Sequence, residues 1–186
     1  MNDSDHVVLL DEDGNEIGTA PKSSVHGTDT ALHLAFSCHV VDPSGRLLVT
    51  RRALTKRTWP GVWTNSFCGH PRPAEPLMAA VHRHAEHELG IAVADVDLAL
   101  PLFRYRATDP SGMVEHEICP VYVARSDSPV RPDPDEVAEW RWVDPGDLAT
   151  ALTATPWAFS PWLVLQAKQL DMFAPRRDSA SRPLAS

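Results

Sequence analysis

A cysteine and a histidine stand two residues apart in the segment 59–71, and this spacing is the first feature that could support chemistry. If the chain is extended there, Cys68 and His70 point to the same face, because side chains two apart share one side of a strand. A thiol beside an imidazole can transfer protons or help to form a metal site. A buried small hydrophobe beside a surface histidine is the ordinary alternative.

Two glutamates repeat this spacing in the segment 114–118. Glu115 and Glu117 share one strand face, whereas Val114, Ile118 and Tyr122 occupy the other. Such carboxylates are often simply solvated. In a cavity, however, they repel each other unless a cation or a shared proton lies between them, so the pair indicates a metal site or an acid/base pair.

His26 and His33 add two imidazoles to these groups. In the predicted strand 32–41 the apolar residues alternate, which places His33 on the polar face. Taken singly, a histidine is more often a surface residue than a ligand. The combined donor set is His26, His33, His70, Glu115 and Glu117. This mixture of nitrogen and oxygen donors suits zinc, manganese or iron better than magnesium, which prefers oxygen ligands.

Composition limits what such a site can act on. A chain of 186 residues, 43% of them hydrophobic, can bury one core, and we expect a single domain over residues 1–173. A formal net charge of −8 disfavours nucleic-acid binding. No apolar stretch reaches the roughly 18 to 20 residues of a membrane helix, and the start lacks a secretion signal. We therefore expect a cytoplasmic protein without nucleic-acid or membrane partners.

The three cysteines have no spacing typical of a shared structural role. Cys38, Cys68 and Cys119 fit neither a disulfide framework nor a structural zinc knuckle. Each is therefore either a core residue or a reactive one.

The elements that must position these side chains can be predicted from hydrophobic periodicity. Alternation predicts strands over residues 6–10, 32–41, 46–51, 98–105, 114–123 and 137–143. The apolar stripe of Met78, Val81, Ala85 and Leu89 predicts a helix over 76–90, with Gly90 as its C-cap.

The end of the chain has a different composition. Asp144 and Pro145 are typical of a helix start, and a last helix is predicted over about 160–173. Residues 174–186 are rich in Pro, Ser, Ala and Arg, so we expect a disordered tail. The pattern as a whole predicts an α/β (α+β) fold, a mixed sheet sandwich flanked by helices.

The predicted helix 76–90 also carries a sequence motif. From Gly69 the chain resembles the Nudix box, Gly-x5-Glu-x7-Arg-Glu-U-x-Glu-Glu-x-Gly-U, in which U is apolar. The positions that agree are Gly69, Glu75, Arg83, Glu88 and Gly90, with apolar Ala85 and Ile91 at the U positions. His84 and His87 replace two of the glutamates that gather magnesium in Nudix hydrolases. The resemblance implies a Nudix fold and does not favour hydrolysis.

Longer motifs on both sides of the box are similar to those of the type I isopentenyl-diphosphate delta-isomerase family. They are Leu-His-Leu-Ala-Phe (32–36), Leu-Val-Thr-Arg-Arg-Ala (48–53), Trp-Pro-Gly-Val-Trp-Thr-Asn-Ser (59–66), Cys-Gly-His-Pro (68–71), Phe-Arg-Tyr-Arg-Ala (103–107), Val-Glu-His-Glu (114–117) and Thr-Pro-Trp-Ala-Phe-Ser-Pro-Trp (155–162). The resemblance extends from about residue 7 to residue 169. It implies conversion of isopentenyl diphosphate to dimethylallyl diphosphate through a tertiary carbocation, in isoprenoid biosynthesis.

The resemblance also implies roles for individual residues. Cys68 and Glu117 match the catalytic acid and base, without an indication of which one donates the proton. Tyr105 is expected to form a hydrogen bond near Glu117, and Trp162 to face the cation, although helix packing would also explain a tryptophan there. The family's metals would be Mn²⁺ or Zn²⁺ at the His/Glu set, which includes Glu117, and Mg²⁺ at Glu88 and the Cys68 carbonyl.

Basic residues are expected to bind the diphosphate. Those that match the family are Lys22, Arg52 and Lys56. Arg83 is expected to orient a box carboxylate, and His84 and His87 to be solvated on the helix surface.

Two other functions are open at this point. A Nudix pyrophosphohydrolase would cleave the diphosphate, but the replaced box glutamates and the Cys68 and Glu117 pair disfavour it. A non-catalytic binding domain would keep the fold without the chemistry, but the matched site residues are intact. The expected partner is a small diphosphate, and the expected assembly is a monomer or a weak dimer.

Overall fold

The computed structural model describes residues 6–174, so the predicted tail lies outside the described residues except for Ala174. The strands are β1 (His6–Leu10), β2 (Glu16–Pro21), β3 (His33–Leu34), β4 (Phe36–Val41), β5 (Leu47–Arg52), β6 (Trp63–Thr64), β7 (Phe67–Gly69), β8 (Ala94–Leu100), β9 (Arg104–Thr108), β10 (Val114–Ile118), β11 (Val121–Arg125) and β12 (Val137–Val143). The helices are α1 (Lys22–Val25), α2 (Leu77–Leu89), α3 (Pro145–Ala154) and α4 (Pro161–Ala167), with short 3-10 turns at Pro156–Ala158 and Asp171–Phe173.

The strands form two sheets. The smaller sheet has the order β2-β1-β3-β10-β9, and the larger has the order β12-β5-β4-β11-β8, with β6 paired to β5 and β7 paired to β4. One core cluster joins Phe36 and Val40 to Val81 of α2, and a second joins Val49 to helices α3 and α4. The larger sheet is therefore covered by α2 on one face and by α3 and α4 on the other. This confirms the predicted mixed sandwich flanked by helices.

Two stretches of chain pass side by side from the smaller sheet to the larger one. β3 continues into β4 through Ala35, and β10 continues into β11 through Cys119 and Pro120. β3 pairs with β10 and β4 with β11, both in parallel. The predictions of single strands over 32–41 and 114–123 missed this change of sheet. Proline lacks the N–H that a continuous ladder needs, so the break falls at Pro120.

The box helix α2 agrees with the prediction at its end and differs at its beginning. Gly90 has a φ of 63°, and its N–H donates to the Glu86 carbonyl at 3.0 Å. A side chain there would also meet the Arg131 carbonyl oxygen at 2.7 Å, so the position favours glycine for two reasons. Met78, predicted in the apolar stripe, is 42% exposed, and Leu77 packs against the core instead.

The other element boundaries show a similar mixture of agreement and correction. α3 begins as predicted, with Asp144 accepting a hydrogen bond from the Gly146 N–H at 2.7 Å. The predicted last helix is shorter, because α4 ends at Ala167. The predicted strand 98–105 is interrupted by a turn between β8 and β9. Within residues 6–174, every helix is too short or too polar to span a bilayer.

Candidate active site

A cavity of about 370 Å³ lies beside the second half of α2 and the end of β7. Every site residue predicted from the sequence lines this cavity except His33. His33 is fully buried, and its Nε2 lies 3.5 Å from Glu117 Oε1, so it stands directly behind the cavity wall. The fold therefore brings together groups from eight different segments of the chain.

The two pairs with two-residue spacing face the cavity as the strand periodicity predicts. Cys68 lies on β7 and His70 follows it, and both line the cavity. Glu115 and Glu117 lie on β10, are each 5% exposed, and also line the cavity. Strand geometry thus places a thiol, an imidazole and two carboxylates around one space.

A cluster of possible metal ligands lies in one part of this wall. Donor atoms of His26, His33, His70 and Glu117 all lie within 4.8 Å of one another. His70 Nε2 is 3.2 Å from Glu117 Oε1. Glu115 belongs to the predicted set but lies at its margin, where its Oε2 is 2.8 Å from His26 Nε2. We refer to these five residues as the His/Glu cluster.

The His/Glu cluster has the unsatisfied valence that a metal site requires. Buried Nε2 of His26, Nε2 of His33 and Oε2 of Glu115 make no hydrogen bond to any residue in 6–174. The short distance between His26 and Glu115 does not have hydrogen-bond geometry. His33 Nδ1 donates to the Ala31 carbonyl at 2.8 Å, which directs the Nε2 lone pair into the cluster. The donors fit a divalent transition metal.

Electrostatics within the cluster favour an ionised Glu117 and a neutral His70, which are the forms that bind metals. Burial raises the pKa of Glu117, but the neighbouring imidazoles of His33 and His70 outweigh it, and the pKa lies well below its ordinary value. Burial lowers the pKa of His70 to about 4. Burial also disfavours a charged His33, but Glu117 outweighs this and raises its pKa. An ionised carboxylate therefore faces a neutral His70.

Cys68 is held between two polar side chains. Its thiol donates to Asn65 Oδ1 at 3.3 Å, and its Sγ lies 3.2 Å from Ser37 Oγ. Ser37 on β4 stands directly opposite Cys68 on β7 in the strand register. Burial raises the pKa of Cys68 to about 12, so the group is a thiol at neutral pH.

Aromatic rings form another part of the wall. Trp162 is 2% exposed, and its Nε1 donates to Asn65 Oδ1 at 3.0 Å. The ring of Tyr105 lies 5.6 Å from that of Trp162. Tyr105 stands opposite Glu117 in the strand register, but within residues 6–174 its hydroxyl forms no hydrogen bond with Glu117. The expected hydrogen bond is thus replaced by cross-strand proximity.

The basic residues line the cavity together but are not equally free. Lys22 begins α1, and Arg52 donates to the Thr58 carbonyl at 2.9 Å while its guanidinium carbon lies 5.7 Å from the ring centroid of Trp162. Lys56 forms an ion pair with Glu136, and burial lowers its pKa to about 8. An anionic ligand near Lys56 would share this cation with Glu136.

Arg83 holds the start of the Nudix box together. It donates to both carboxylate oxygens of Glu75, at 2.7 and 2.6 Å, and to the His70 carbonyl at 3.2 Å. The Arg83 hydrogen bond is the main cause that lowers the pKa of Glu75 to about 2. Arg83 orients a box carboxylate, as expected, and it also fixes the backbone next to His70.

The expectation that His84 is solvated is wrong. His84 is 5% exposed, and its Nδ1 lies 2.6 Å from Glu88 Oε1, one helical turn away. A Cβ at Gly69 would overlap the imidazole ring of His84, so this ring fills the space that the glycine leaves open. His87, in contrast, is exposed as expected, with 60% of its side chain accessible.

Sequence reasoning missed three polar residues in the hydrogen-bond network that includes Cys68. Ser37, Asn65 and Gln166 are all fully buried, and Asn65 accepts hydrogen bonds from Cys68, Trp162 and Thr64. A signal was present in the sequence. Ser37 lies between Phe36 and Cys38 in a largely apolar strand, and Gln166 stands four residues after Trp162, where a helix repeats its buried face.

The chain is similar to proteins of one family over most of its length. The profile of the NUDIX domain matches residues 31–163. A protein of Agromyces mediolanus is 70% identical over 176 residues, which are 95% of this chain and 85% of that protein. A protein of Paenarthrobacter aurescens is 57% identical over 170 residues, which are 91% of this chain and 92% of that protein. Both are named isopentenyl-diphosphate Delta-isomerase.

Solved structures support the fold. A crystal structure of a protein from Deinococcus radiodurans matches 89% of this chain and 98% of its own, with a TM-score of 0.69 and 19% identity. A MutT Nudix hydrolase from Burkholderia pseudomallei matches 74% of this chain and 97% of its own, with a TM-score of 0.56 and 26% identity. By its domain and its relatives, the chain belongs to the Nudix superfamily and, within it, to the isopentenyl-diphosphate Delta-isomerase family.

Proposed function

We propose that this protein is an isomerase that converts isopentenyl diphosphate into dimethylallyl diphosphate. The observation that carries the proposal is the placement of Cys68 and Glu117 on the wall of one cavity that basic side chains and Trp162 also line. A proton-transferring pair is needed at the alkene, and cations are needed at the diphosphate. A hydrolase needs no thiol opposite a carboxylate, so this pair favours isomerisation over cleavage.

We propose that Cys68 and Glu117 carry the two proton transfers. One protonates the terminal alkene carbon, and the other removes a proton from C2 of the tertiary carbocation. Burial favours a neutral thiol at Cys68, and two histidines favour an ionised Glu117. These protonation states support Cys68 as the acid and Glu117 as the base in the direction that forms dimethylallyl diphosphate.

The aromatic wall suits a cationic intermediate. Trp162 and Tyr105 both line the cavity, and an aromatic face attracts positive charge. Burial of Trp162 also keeps water, which would trap the cation, away from that side of the wall. In the absence of substrate the positive charge near Trp162 is that of Arg52. We propose that Arg52, with Lys22 and Lys56, instead binds the diphosphate.

Two metal ions complete the proposal. We propose Mn²⁺ or Zn²⁺ at the His/Glu cluster, supported by its unpaired buried donors, and Mg²⁺ held by Glu88 with the Cys68 carbonyl. Bound there, the ions supply positive charge that holds Glu117 ionised and neutralises phosphate oxygens. The residues of the chain orient the donors, as His33 is oriented by Ala31.

The direct test is incubation of the purified protein with isopentenyl diphosphate and magnesium. We expect dimethylallyl diphosphate as the product and no release of phosphate. Phosphate release without dimethylallyl diphosphate would identify the protein as a pyrophosphohydrolase and refute the proposal. Metal analysis of protein purified without added metal would identify the ion at the His/Glu cluster.

The role of Cys68 can be tested by Cys68→Ala. Removing a general acid should lower turnover by about 10² to 10⁴-fold. Metal content should stay the same, because the His/Glu cluster does not include the Cys68 side chain. Cys38→Ala is a matched control, since Cys38 is buried in the core cluster that contains α2. Activity retained in Cys68→Ala would contradict the assigned role.

Several broader properties are also proposals. We propose that the protein serves isoprenoid biosynthesis in the cytoplasm, that residues 1–173 act as one domain, and that it is a monomer or a weak dimer. Light scattering at several protein concentrations would test the assembly, and a concentration-independent dimer would contradict it. Limited proteolysis would test the single domain, because a stable fragment ending inside residues 6–174 would contradict it.

A further inference from the structure

Three buried polar side chains, His39, Gln166 and Ser37, form a hydrogen-bonded series that leads to Cys68 from outside the cavity. Ser37 and Gln166 are fully buried, and His39 is 2% exposed. None of the three lines the cavity. Burying polar groups costs free energy unless they are hydrogen-bonded to one another, so this arrangement needs a physical reason.

The donor and the acceptor of each hydrogen bond in this series can be assigned. His39 Nε2 lies 2.9 Å from Gln166 Oε1, and Gln166 Nε2 lies 2.9 Å from Ser37 Oγ. Burial lowers the pKa of His39 to about 4, so the ring is neutral at pH 7 and its N–H can donate to the amide oxygen. The oxygen of Gln166 is then occupied, and its NH2 group must face Ser37.

The direction continues from Gln166 to the sulfur of Cys68. Because Ser37 Oγ accepts from Gln166, the single hydroxyl proton of Ser37 is available for a sulfur atom. Cys68 Sγ is 3.2 Å away, and Cys119 Sγ is 3.4 Å away. Cys68 donates its own proton to Asn65, which leaves its sulfur lone pairs free to accept from Ser37.

We propose that Gln166, supported by His39, is a positioning residue for the reaction at Cys68, acting by directing the Ser37 hydroxyl to the Cys68 sulfur. This inference rests on the proposed isomerase function. When the S–H bond breaks and a C–H bond forms at the alkene, the sulfur keeps the electron pair. The Ser37 hydroxyl stays intact and stabilises that negative charge. The same contact would serve if Cys68 were the base.

A purely structural role for Gln166 makes a different prediction. If Gln166 only fills the core, its substitution lowers stability and affects turnover independently of Ser37. If it acts through Ser37, its effect on turnover disappears once the Ser37 hydroxyl is gone. A double-mutant cycle separates these two cases.

The variants for this cycle are Gln166→Leu, Ser37→Ala and the double variant. Since a hydrogen bond to a charged sulfur is at stake, Gln166→Leu should lower kcat about fivefold to tenfold, with KM and metal content unchanged. In the Ser37→Ala background the same change should lower kcat less than about twofold. Gln169→Leu is the matched control, because the Gln169 side chain is exposed and its amide donates to the Leu165 carbonyl, away from Ser37.

An equal loss of kcat in both backgrounds would overturn the inference, as would an unchanged kcat in Gln166→Leu. If Gln166→Leu does not fold, Gln166→Met takes its place, since it keeps the unbranched shape and removes both hydrogen bonds.

A spectroscopic readout makes the test independent of turnover. The ¹³Cβ resonance of Cys68 should move in Gln166→Leu and in Ser37→Ala, but not in Gln169→Leu, and the double variant should match Ser37→Ala. An unmoved resonance in Gln166→Leu would overturn the inference. Failure of the proposed function would appear separately, as wild-type protein that forms no dimethylallyl diphosphate.

Discussion

The His/Glu cluster and the Nudix box are built from the same residue types but satisfy their polar atoms differently. In the box, Arg83 donates to both oxygens of Glu75, and His84 contacts Glu88 at 2.6 Å. In the His/Glu cluster, buried donor atoms of three residues have no hydrogen-bond partner within residues 6–174. Buried donor atoms without a hydrogen-bond partner, more than the residue types, therefore distinguish a binding site from a structural network.

Glu88 stands between the two regions. It forms an ion pair with His84 inside the box, and it also lines the cavity, as residues of the His/Glu cluster do. Burial opposes its charge, but His84 outweighs burial and lowers its pKa. The replacement of a box glutamate by His84 thus keeps Glu88 ionised and leaves Glu88 as the one box carboxylate that lines the cavity.

The largest expected difference between the two regions concerns metal. His33→Ala removes a donor atom that has no other partner, so the His/Glu cluster should lose its ion. Outer partners of metal ligands alone are worth 10- to 100-fold, so turnover should fall by more than about 100-fold. Metal analysis and turnover measured on the same sample check this. Full metal content with full activity in His33→Ala would contradict the role of His33 as a metal ligand.

The control for this change is His87→Ala, another histidine-to-alanine substitution. His87 is exposed, and its Nδ1 lies 3.9 Å from Asp133 Oδ2. Exposed ion pairs contribute little, so we expect a change in unfolding free energy within about 0.5 kcal/mol and unchanged metal content.

A smaller effect, on stability, should come from adding a side chain at Gly69, the first residue of the Nudix box. In Gly69→Ala the new methyl group overlaps the ring of His84, so one of them must move. Overpacking of this kind destabilises by about 1–3 kcal/mol, measurable by urea unfolding. The double variant with His84→Ala should recover most of this loss, because the space is then free. If the losses of unfolding free energy in the two single variants simply add in the double variant, the ring of His84 is not what the new methyl group overlaps.

The smallest expected effect is the loss of the Glu75 and Arg83 pair in Glu75→Gln. The pKa of Glu75 lies at about 2 in the folded protein, against an ordinary value of 4.5. The ionised pair therefore stabilises the protein above pH 4.5, and this contribution is lost as the pH falls towards 2. At pH 7 we expect the variant to be less stable by about 1–2 kcal/mol, after allowance for solvent screening.

Unfolding free energies of wild-type protein and Glu75→Gln measured from pH 7 downwards should converge. A difference in unfolding free energy that does not change with pH would show that Glu75 acts by its shape alone. The charges of Glu75 and Arg83 would then not stabilise the box.

The sequence was most informative where one local rule decides the geometry. Two-residue spacing predicted the direction of Cys68 and His70, and a single αL position predicted the end of α2 at Gly90. Contacts between distant segments were not predictable in this way. Gln166 and Ser37 are 129 residues apart, and only the packing of α4 on the larger sheet brings them together. His84 was misjudged because its burial depends on the open space at Gly69.

The amide oxygen of Asn65 links two functions that are usually considered separately. It accepts from the indole N–H of Trp162 and from the thiol of Cys68. A substrate with a longer hydrocarbon tail that displaced the indole would remove one of the three hydrogen bonds to the amide oxygen of Asn65, which also holds the thiol. We therefore expect such a substrate to weaken the positioning of Cys68, the proposed proton donor, so that one amide group would couple the size of the substrate to the rate of the reaction.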